Sequence, residues 1–256
     1  MSDQQRPRVA LITGAASGIG RAVARRLQED GLRTCWLDVD ADAGRAAAEA
    51  AGGTFVHADL ADPAQCRAAV DATVETLGGL DVLVNVAGFQ HLDPIDAFPD
   101  ATWDAMLAVM VSAPHHLTKR AWPWLIRSGQ GRVIHLGSAH SLVASPYKVG
   151  YVTAKHALVG HMKAVALEGG PHGLTCNLVA PAYVRTPLVE RQIEAQARTR
   201  GIAATEVEER VFLEATAIKR LLEPEDVAAL VAYLASDAAW GVTGSVQSID
   251  LGWTAR

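Results

Sequence analysis

Short apolar runs alternate along this chain with longer stretches in which apolar residues recur every three to four positions. The runs Arg8–Thr13, Arg33–Asp38, Thr54–His57, Leu80–Asn85, Arg132–Gly137, Leu174–Val179 and Ser245–Asp250 predict strands. The intervening pattern predicts helices over Ile19–Asp30, Ala41–Ala51, Pro63–Leu77, Thr102–Ser128, Gly150–Glu168 and Pro224–Ser236, several opened by Asp, Ser or Pro and closed by Gly. Strand–helix alternation of this kind, with right-handed crossovers, predicts an α/β fold: a single-domain, doubly wound parallel sheet of about seven strands spanning residues 1–256. Pro114 and Pro123 fall inside the fourth helix and predict kinks there. The segment Leu188–Ala215 follows the Thr186-Pro187 turn, is rich in charge and is interrupted by Gly201. It reads as a helical flap over the C-terminal edge of the sheet, where such folds bind ligands.

Composition narrows the function classes. Half of the residues are hydrophobic but only 5% are aromatic, which suits Ala-, Val- and Leu-rich helices packed on a parallel sheet. The formal charge of −5 and the scattered basic residues leave no positive stripe, so a nucleic-acid partner is not expected. The N-terminal stretch Met1–Arg8 is polar and has no apolar signal core, and the longest apolar stretch, Val227–Ala235, is too short to span a bilayer. Cys35, Cys66 and Cys176 are odd in number, far apart and without metal-ligand spacing. No metal site, no membrane association and a cytoplasmic location are the expectation.

Candidate chemistry lies at two places. Gly14, Gly18 and Gly20 follow the first strand and open a helix, so the backbone can approach a pyrophosphate at a helix N-terminus. Asp38 ends the second strand, where a carboxylate accepts hydrogen bonds from an adenosine ribose and repels a 2′-phosphate, so NAD is the expected cofactor rather than NADP. The turns Ala58-Asp59-Leu60 and Asn85-Val86-Ala87-Gly88 end two further strands on the same edge. The second place is Tyr151-Val152-Thr153-Ala154-Lys155: residues four apart share a helix face, which sets an ammonium beside a phenol and favours its ionised form.

Together with Ser138, Asn177, Pro181 and Thr186, these residues resemble the short-chain dehydrogenase/reductase family over nearly the whole chain. The resemblance implies a Rossmann-type fold and hydride transfer at a nicotinamide. It assigns Tyr151 as acid/base, Ser138 as the group that polarises the substrate oxygen, and Lys155 as the residue that holds the nicotinamide ribose and depresses the tyrosine pKa. The implied NAD-binding set is Thr13, Gly14, Ser17, Gly18, Ile19, Gly20, Asp38, Asp59, Leu60, Asn85, Ala87, Gly88, Tyr151, Lys155, Pro181, Val184 and Thr186. Met110 stands where the family usually has an Asn that positions a proton-relaying water, and Val86 replaces the second Asn of Asn-Asn-Ala-Gly.

Four stretches resemble the branch of the family that acts on short 3-hydroxy acids: Gly88–His91, Ser138–Val143, Lys148–Tyr151 and Thr186–Ile193. The implied substrate set is Gln90, Ser138, His140, Lys148, Tyr151, Gln192 and Trp253, of which Gln90, His140, Lys148 and Gln192 face a carboxylate. One cation with neutral donors suits an anion whose orientation must be fixed. Trp253 is expected to close the pocket from a neighbouring subunit, and a homotetramer built through Thr102–Ser128 and Gly150–Glu168 is implied. The activity implied is NAD-dependent interconversion of (R)-3-hydroxybutyrate and acetoacetate. Another small keto acid, a sugar derivative or a 3-oxoacyl thioester remains as an alternative substrate, and a non-catalytic NAD-binding protein as an alternative class.

Overall fold

Each of the seven apolar runs becomes a strand: β1 Val9–Thr13, β2 Arg33–Asp38, β3 Thr54–His57, β4 Val82–Asn85, β5 Arg132–Leu136, β6 Thr175–Pro181 and β7 Val246–Ile249. The computed structural model describes residues 6–255, so most of the polar N-terminal stretch lies outside the described residues. All the strands pair in parallel, in the order β3-β2-β1-β4-β5-β6-β7. The chain therefore winds outward from β1 in one direction and then from β4 in the other. At that reversal the connections leave β1 and β4 towards opposite faces, and a crevice opens beyond their C-terminal ends.

Helices α1 Gly18–Glu29, α2 Ala41–Ala51, α3 Pro63–Leu77, α4 Asp100–Leu107, α5 Ala113–Arg127, α6 Val149–Gly169, α7 Pro187–Arg200, α8 Ala204–Val207 and α9 Pro224–Ala235 complete the layers. Alternation along the strands splits the core in two. Leu11, Leu83, Val133 and Leu178 pack under α3, α5 and α6, whereas Ile12, Val84, Ile134 and Val179 pack under α1 and α9. Leu83 is fully buried, and truncating such a residue to alanine costs about 2–5 kcal/mol. Local signals agree with this packing. Asp40 and Asp62 cap α2 and α3 by accepting the N–H of Ala43 and Ala64, and both helices end on glycines in the left-handed region.

The single long helix expected over Thr102–Ser128 is broken. A π turn, Ala108–Ser112, separates α4 from α5, with the Ala113 N–H bonded to the Ala108 carbonyl five residues back. The irregularity thus precedes Pro114, which occupies the first turn of α5 where a missing N–H is tolerated, and Pro123 alone lies inside the helix. Met110 sits in the π turn, fully buried in a small cluster with Ala154 and Tyr151. The expected flap is helical from Pro187 to Phe212: α7 ends at Gly201, whose φ is +66°, and α8 runs into a second π turn, Glu208–Phe212. Among the described residues no helix is long and apolar enough to cross a membrane.

Candidate active site

The crevice is a cavity of about 560 Å³ at the C-terminal ends of β1, β2 and β4. Its first wall is the turn after β1. Gly14 and Gly18 lie in the left-handed region, with φ of +67° and +52°, and a Cβ on Gly20 would stand 2.0 Å from the Gly14 carbonyl oxygen. The turn is therefore closed to side chains and presents bare backbone, a cradle that fits a pyrophosphate. Thr13 holds the turn from behind, its hydroxyl oxygen accepting the N–H groups of Val86 and Ala87 at 2.9 and 3.0 Å. Asp38 closes the next wall, with one carboxylate oxygen accepting from Ala16 N at 2.9 Å and the other from Asp40 N at 3.0 Å.

Of the residues expected to hold a nucleotide, Gly14, Ser17, Gly18, Ile19, Gly20, Asp38, Asp59, Leu60, Ala87, Gly88, Tyr151, Lys155 and Thr186 lie on the cavity wall. Thr13, Asn85, Pro181 and Val184 are buried behind it. Asn85 faces His135, Nδ2 to Nδ1 at 3.2 Å, Pro181 pairs with Ile249 at the end of β6, and Val184 bridges to Leu222. Val39, Phe89, Val109 and Leu136 also line the cavity. Sequence carried no signal for them beyond adjacency to the turns.

Tyr151 and Lys155 lie on α6 at the inner end of this cavity. Lys155 is buried and donates to the Leu136 carbonyl oxygen at 2.7 Å, with its ammonium 5.4 Å from the Tyr151 ring centre. Burial lowers the lysine pKa to about 8. It also drives the Tyr151 phenol up to about 12, opposed by a hydrogen bond with the Ser138 side chain. In the protein alone, desolvation is thus the largest influence on the phenol. Ser138 is placed by a capping box on the short turn Ala139–Ser141, where its Oγ accepts from His140 N at 3.2 Å.

On the far side of Tyr151, Lys148 precedes α6 and is buried, with Nζ 3.3 Å from His140 Nε2 and 5.5 Å from the Tyr183 ring centre. Among the described residues no carboxylate forms an ion pair with it. Burial, and then the Lys148 charge, push the His140 pKa down to about 4, so the imidazole is neutral and accepts from the ammonium. Gln192 on α7 donates to Gln90 Oε1 at 3.2 Å, tying the flap to the loop after β4. The four residues expected around a carboxylate thus form two pairs, His140 with Lys148 and Gln90 with Gln192.

Trp253 stacks on Tyr183 of its own chain, at 5.3 Å and 16°, and meets His140 edge-on at 5.3 Å. This chain's own tryptophan thus packs against its own site. Tyr183 also meets Phe212 of the flap at 4.4 Å. Both aromatics were invisible to the sequence reading, because they sit in irregular or charge-rich segments without periodicity. Among the described residues no group of three or more His, Cys, Asp or Glu side chains is arranged to hold a metal ion.

The family model described as enoyl-(acyl carrier protein) reductase matches residues 14–254. The chain is 42% identical to a D-beta-hydroxybutyrate dehydrogenase of Rhizobium meliloti, over 97% of this chain and 99% of the relative. It is 37% identical to a D-beta-hydroxybutyrate dehydrogenase of Cupriavidus necator, over 97% and 98%. Its fold is similar to that of the aldohexose dehydrogenase of Thermoplasma acidophilum in ligand-free form, with a TM-score of 0.90, 31% identity and coverage of 98% of this chain and 95% of that one.

Proposed function

Since the chain belongs to the short-chain dehydrogenase/reductase family of oxidoreductases, we propose that it is an NAD-dependent dehydrogenase interconverting (R)-3-hydroxybutyrate and acetoacetate. The observation that carries the substrate class is Lys148, a buried ammonium whose close polar partner is a neutral imidazole. A buried cation without a counter-ion is costly, and an anionic ligand relieves that cost. Lys148 lies three residues before Tyr151, so a four-carbon acid reaches from one to the other with its carboxylate and its 3-oxygen. The relatives named D-beta-hydroxybutyrate dehydrogenase support the same choice.

The glycine turn, Asp38 and Lys155 fit a dinucleotide, and Asp38 favours the form without a 2′-phosphate. When bound, the cofactor supplies a hydride acceptor or donor at its nicotinamide and, in the oxidised form, a positive charge. In the oxidation, Lys148, His140, Gln90 and Gln192 hold the carboxylate, and Ser138 donates to the reacting oxygen. Tyr151 takes the hydroxyl proton as the carbon–hydrogen bond breaks, and in the reduction it returns a proton to the carbonyl oxygen. Starting from about 12, the Tyr151 phenol becomes a usable base only when positive charge gathers around it. One unit charge at about 4 Å and an effective dielectric of about 20 is worth about 4 kcal/mol, or about three pKa units. Assembly as a homotetramer through α5 and α6 is part of the same proposal.

Steady-state assays with NAD and NADP against 3-hydroxy acids and neutral secondary alcohols test this reading. Equal activity on neutral alcohols would remove the substrate claim, and a preference for NADP would remove the cofactor claim. A second reading, oxidation of a sugar, follows from the likeness to the aldohexose dehydrogenase, and an aldohexose in the same panel decides between the two.

A further inference from the structure

Arg185 leaves the end of β6 between Tyr183, which faces Lys148, and Thr186, which caps α7 and lines the nucleotide cavity. Its guanidinium holds two acids from different parts of the chain. Nη2 reaches both carboxylate oxygens of Glu208 at 3.2 Å, while Nε lies 3.3 Å from Glu223, the residue that precedes α9. Glu208 opens the π turn of the flap, and the same turn ends on Phe212, the residue packed edge-on against Tyr183. The three residues Tyr183, Val184 and Arg185 therefore grip the far part of the flap twice, once by charge and once by an aromatic contact. Lys219 fixes the chain just beyond, donating to the carbonyls of Leu213 and Glu214 at 2.8 and 3.0 Å. Among the described residues between Gly201 and Leu213, the side-chain ion pair to the body of the protein is Arg185 with Glu208, and it stands beside the apolar packing of Val207, Phe212 and Leu213 against Leu221 and Tyr183.

We infer that Arg185 is a positioning residue for the substrate site: through Glu208 it sets the π turn, and through Phe212 it holds the Tyr183 ring against Lys148 and Trp253. Arg185 itself touches no reacting atom. A planar fork suits this task, because one guanidinium serves two carboxylates in fixed directions, whereas a lysine at the same place offers a point charge. The two arms of the fork have separable consequences. The Glu208 arm orders the flap, and the Glu223 arm holds the loop before α9.

The test compares Arg185→Ala, Arg185→Lys, Glu208→Gln and Glu223→Gln in the full chain with the nucleotide bound. Two quantities are read: KM and kcat for 3-hydroxybutyrate, and the rate of amide hydrogen exchange over residues 204–213. Only the kinetic half rests on the proposed function. If the wild-type protein turns over no 3-hydroxy acid, that reading fails while the exchange data still decide on Arg185. Arg185→Ala and Glu208→Gln are expected to raise KM about fivefold with kcat little changed, and to speed exchange over the flap. Arg185→Lys recovers part of both, and Glu223→Gln leaves both near wild type. The inference is overturned if Glu208→Gln alters neither quantity, or if Glu223→Gln alters both as much as Glu208→Gln does.

Discussion

Lys148 Nζ stands 3.3 Å from His140 Nε2, an ammonium donating to an imidazole that burial and the cation itself keep neutral. The pair is polar, satisfied in part and places a cation in a buried setting, which under the proposed function suits it to hold an anion. Removing the charge while keeping the apolar stem, as in Lys148→Met, is expected to raise KM for a hydroxy acid about 100-fold and to lower kcat much less. Steady-state kinetics on the acid and on a neutral alcohol of the same length provide the check. Equal losses on both substrates would show that Lys148 supports the fold rather than the carboxylate.

Burial holds the Tyr151 phenol near 12, opposed by the Ser138 side chain. Tyr151→Phe keeps the ring and its packing but removes the proton, so kcat is expected to fall by about 10²–10⁴ while nucleotide binding is retained. Ser138→Ala leaves the phenol in place without the neighbouring hydroxyl, and a smaller loss is expected. Single-turnover rates with nucleotide affinity measured separately distinguish a lost proton transfer from a collapsed cavity.

The carboxylate of Asp38 is fixed by two backbone N–H groups, so its charge is held at the cavity wall and does not swing into solvent. Asp38→Asn retains an acceptor for Ala16 N but loses the repulsion towards a 2′-phosphate. The ratio of kcat/KM for NADP to that for NAD is expected to rise about tenfold, or about 1.4 kcal/mol, close to the worth of one charge contact at about 4 Å in water-like surroundings. An unchanged ratio would place the cofactor preference elsewhere.

All seven strands were legible because each is short, apolar and bounded by a polar or glycine turn, and the structure moves their ends by only one or two residues, as at Leu80 to Val82. The glycine turn and Asp38 were equally legible, since local backbone demands leave residue-specific marks. What escaped depends on distant contacts. The π turn at Ala108–Ser112 adds one residue to a helix without changing its apolar pattern, so the sequence showed only the prolines beside it. Tyr183 and Phe212 meet across about thirty residues of chain, and neither lies in a periodic segment. The environment of the Tyr151 phenol was illegible for a different reason. Helical spacing places the ammonium, but the burial that pushes the phenol up and the ammonium down is a property of the folded cavity.

His135 gives the stability prediction. It lies fully buried in β5, with Nδ1 3.2 Å from Asn85 Nδ2 and Nε2 3.1 Å from His161 Nδ1. Burial, followed by the charges of His161 and Lys155, lowers its pKa from 6.5 to about 3. The folded value lies below the unfolded one, so the unfolded chain takes up the proton first as the pH falls. Stability from the neutral imidazole is therefore complete above about pH 6.5 and drains away between there and about pH 3. From pH 7 to pH 5 this one group is expected to remove about 2 kcal/mol, a fall in Tm of about 4–8 °C for a chain of this size. His135→Gln does not titrate, so its Tm is expected to fall less than the wild-type Tm over the same interval, whatever its absolute stability. Thermal unfolding at matched ionic strength at pH 7, 6 and 5 provides the comparison, and parallel curves for the two proteins would show that the acid sensitivity arises from another group.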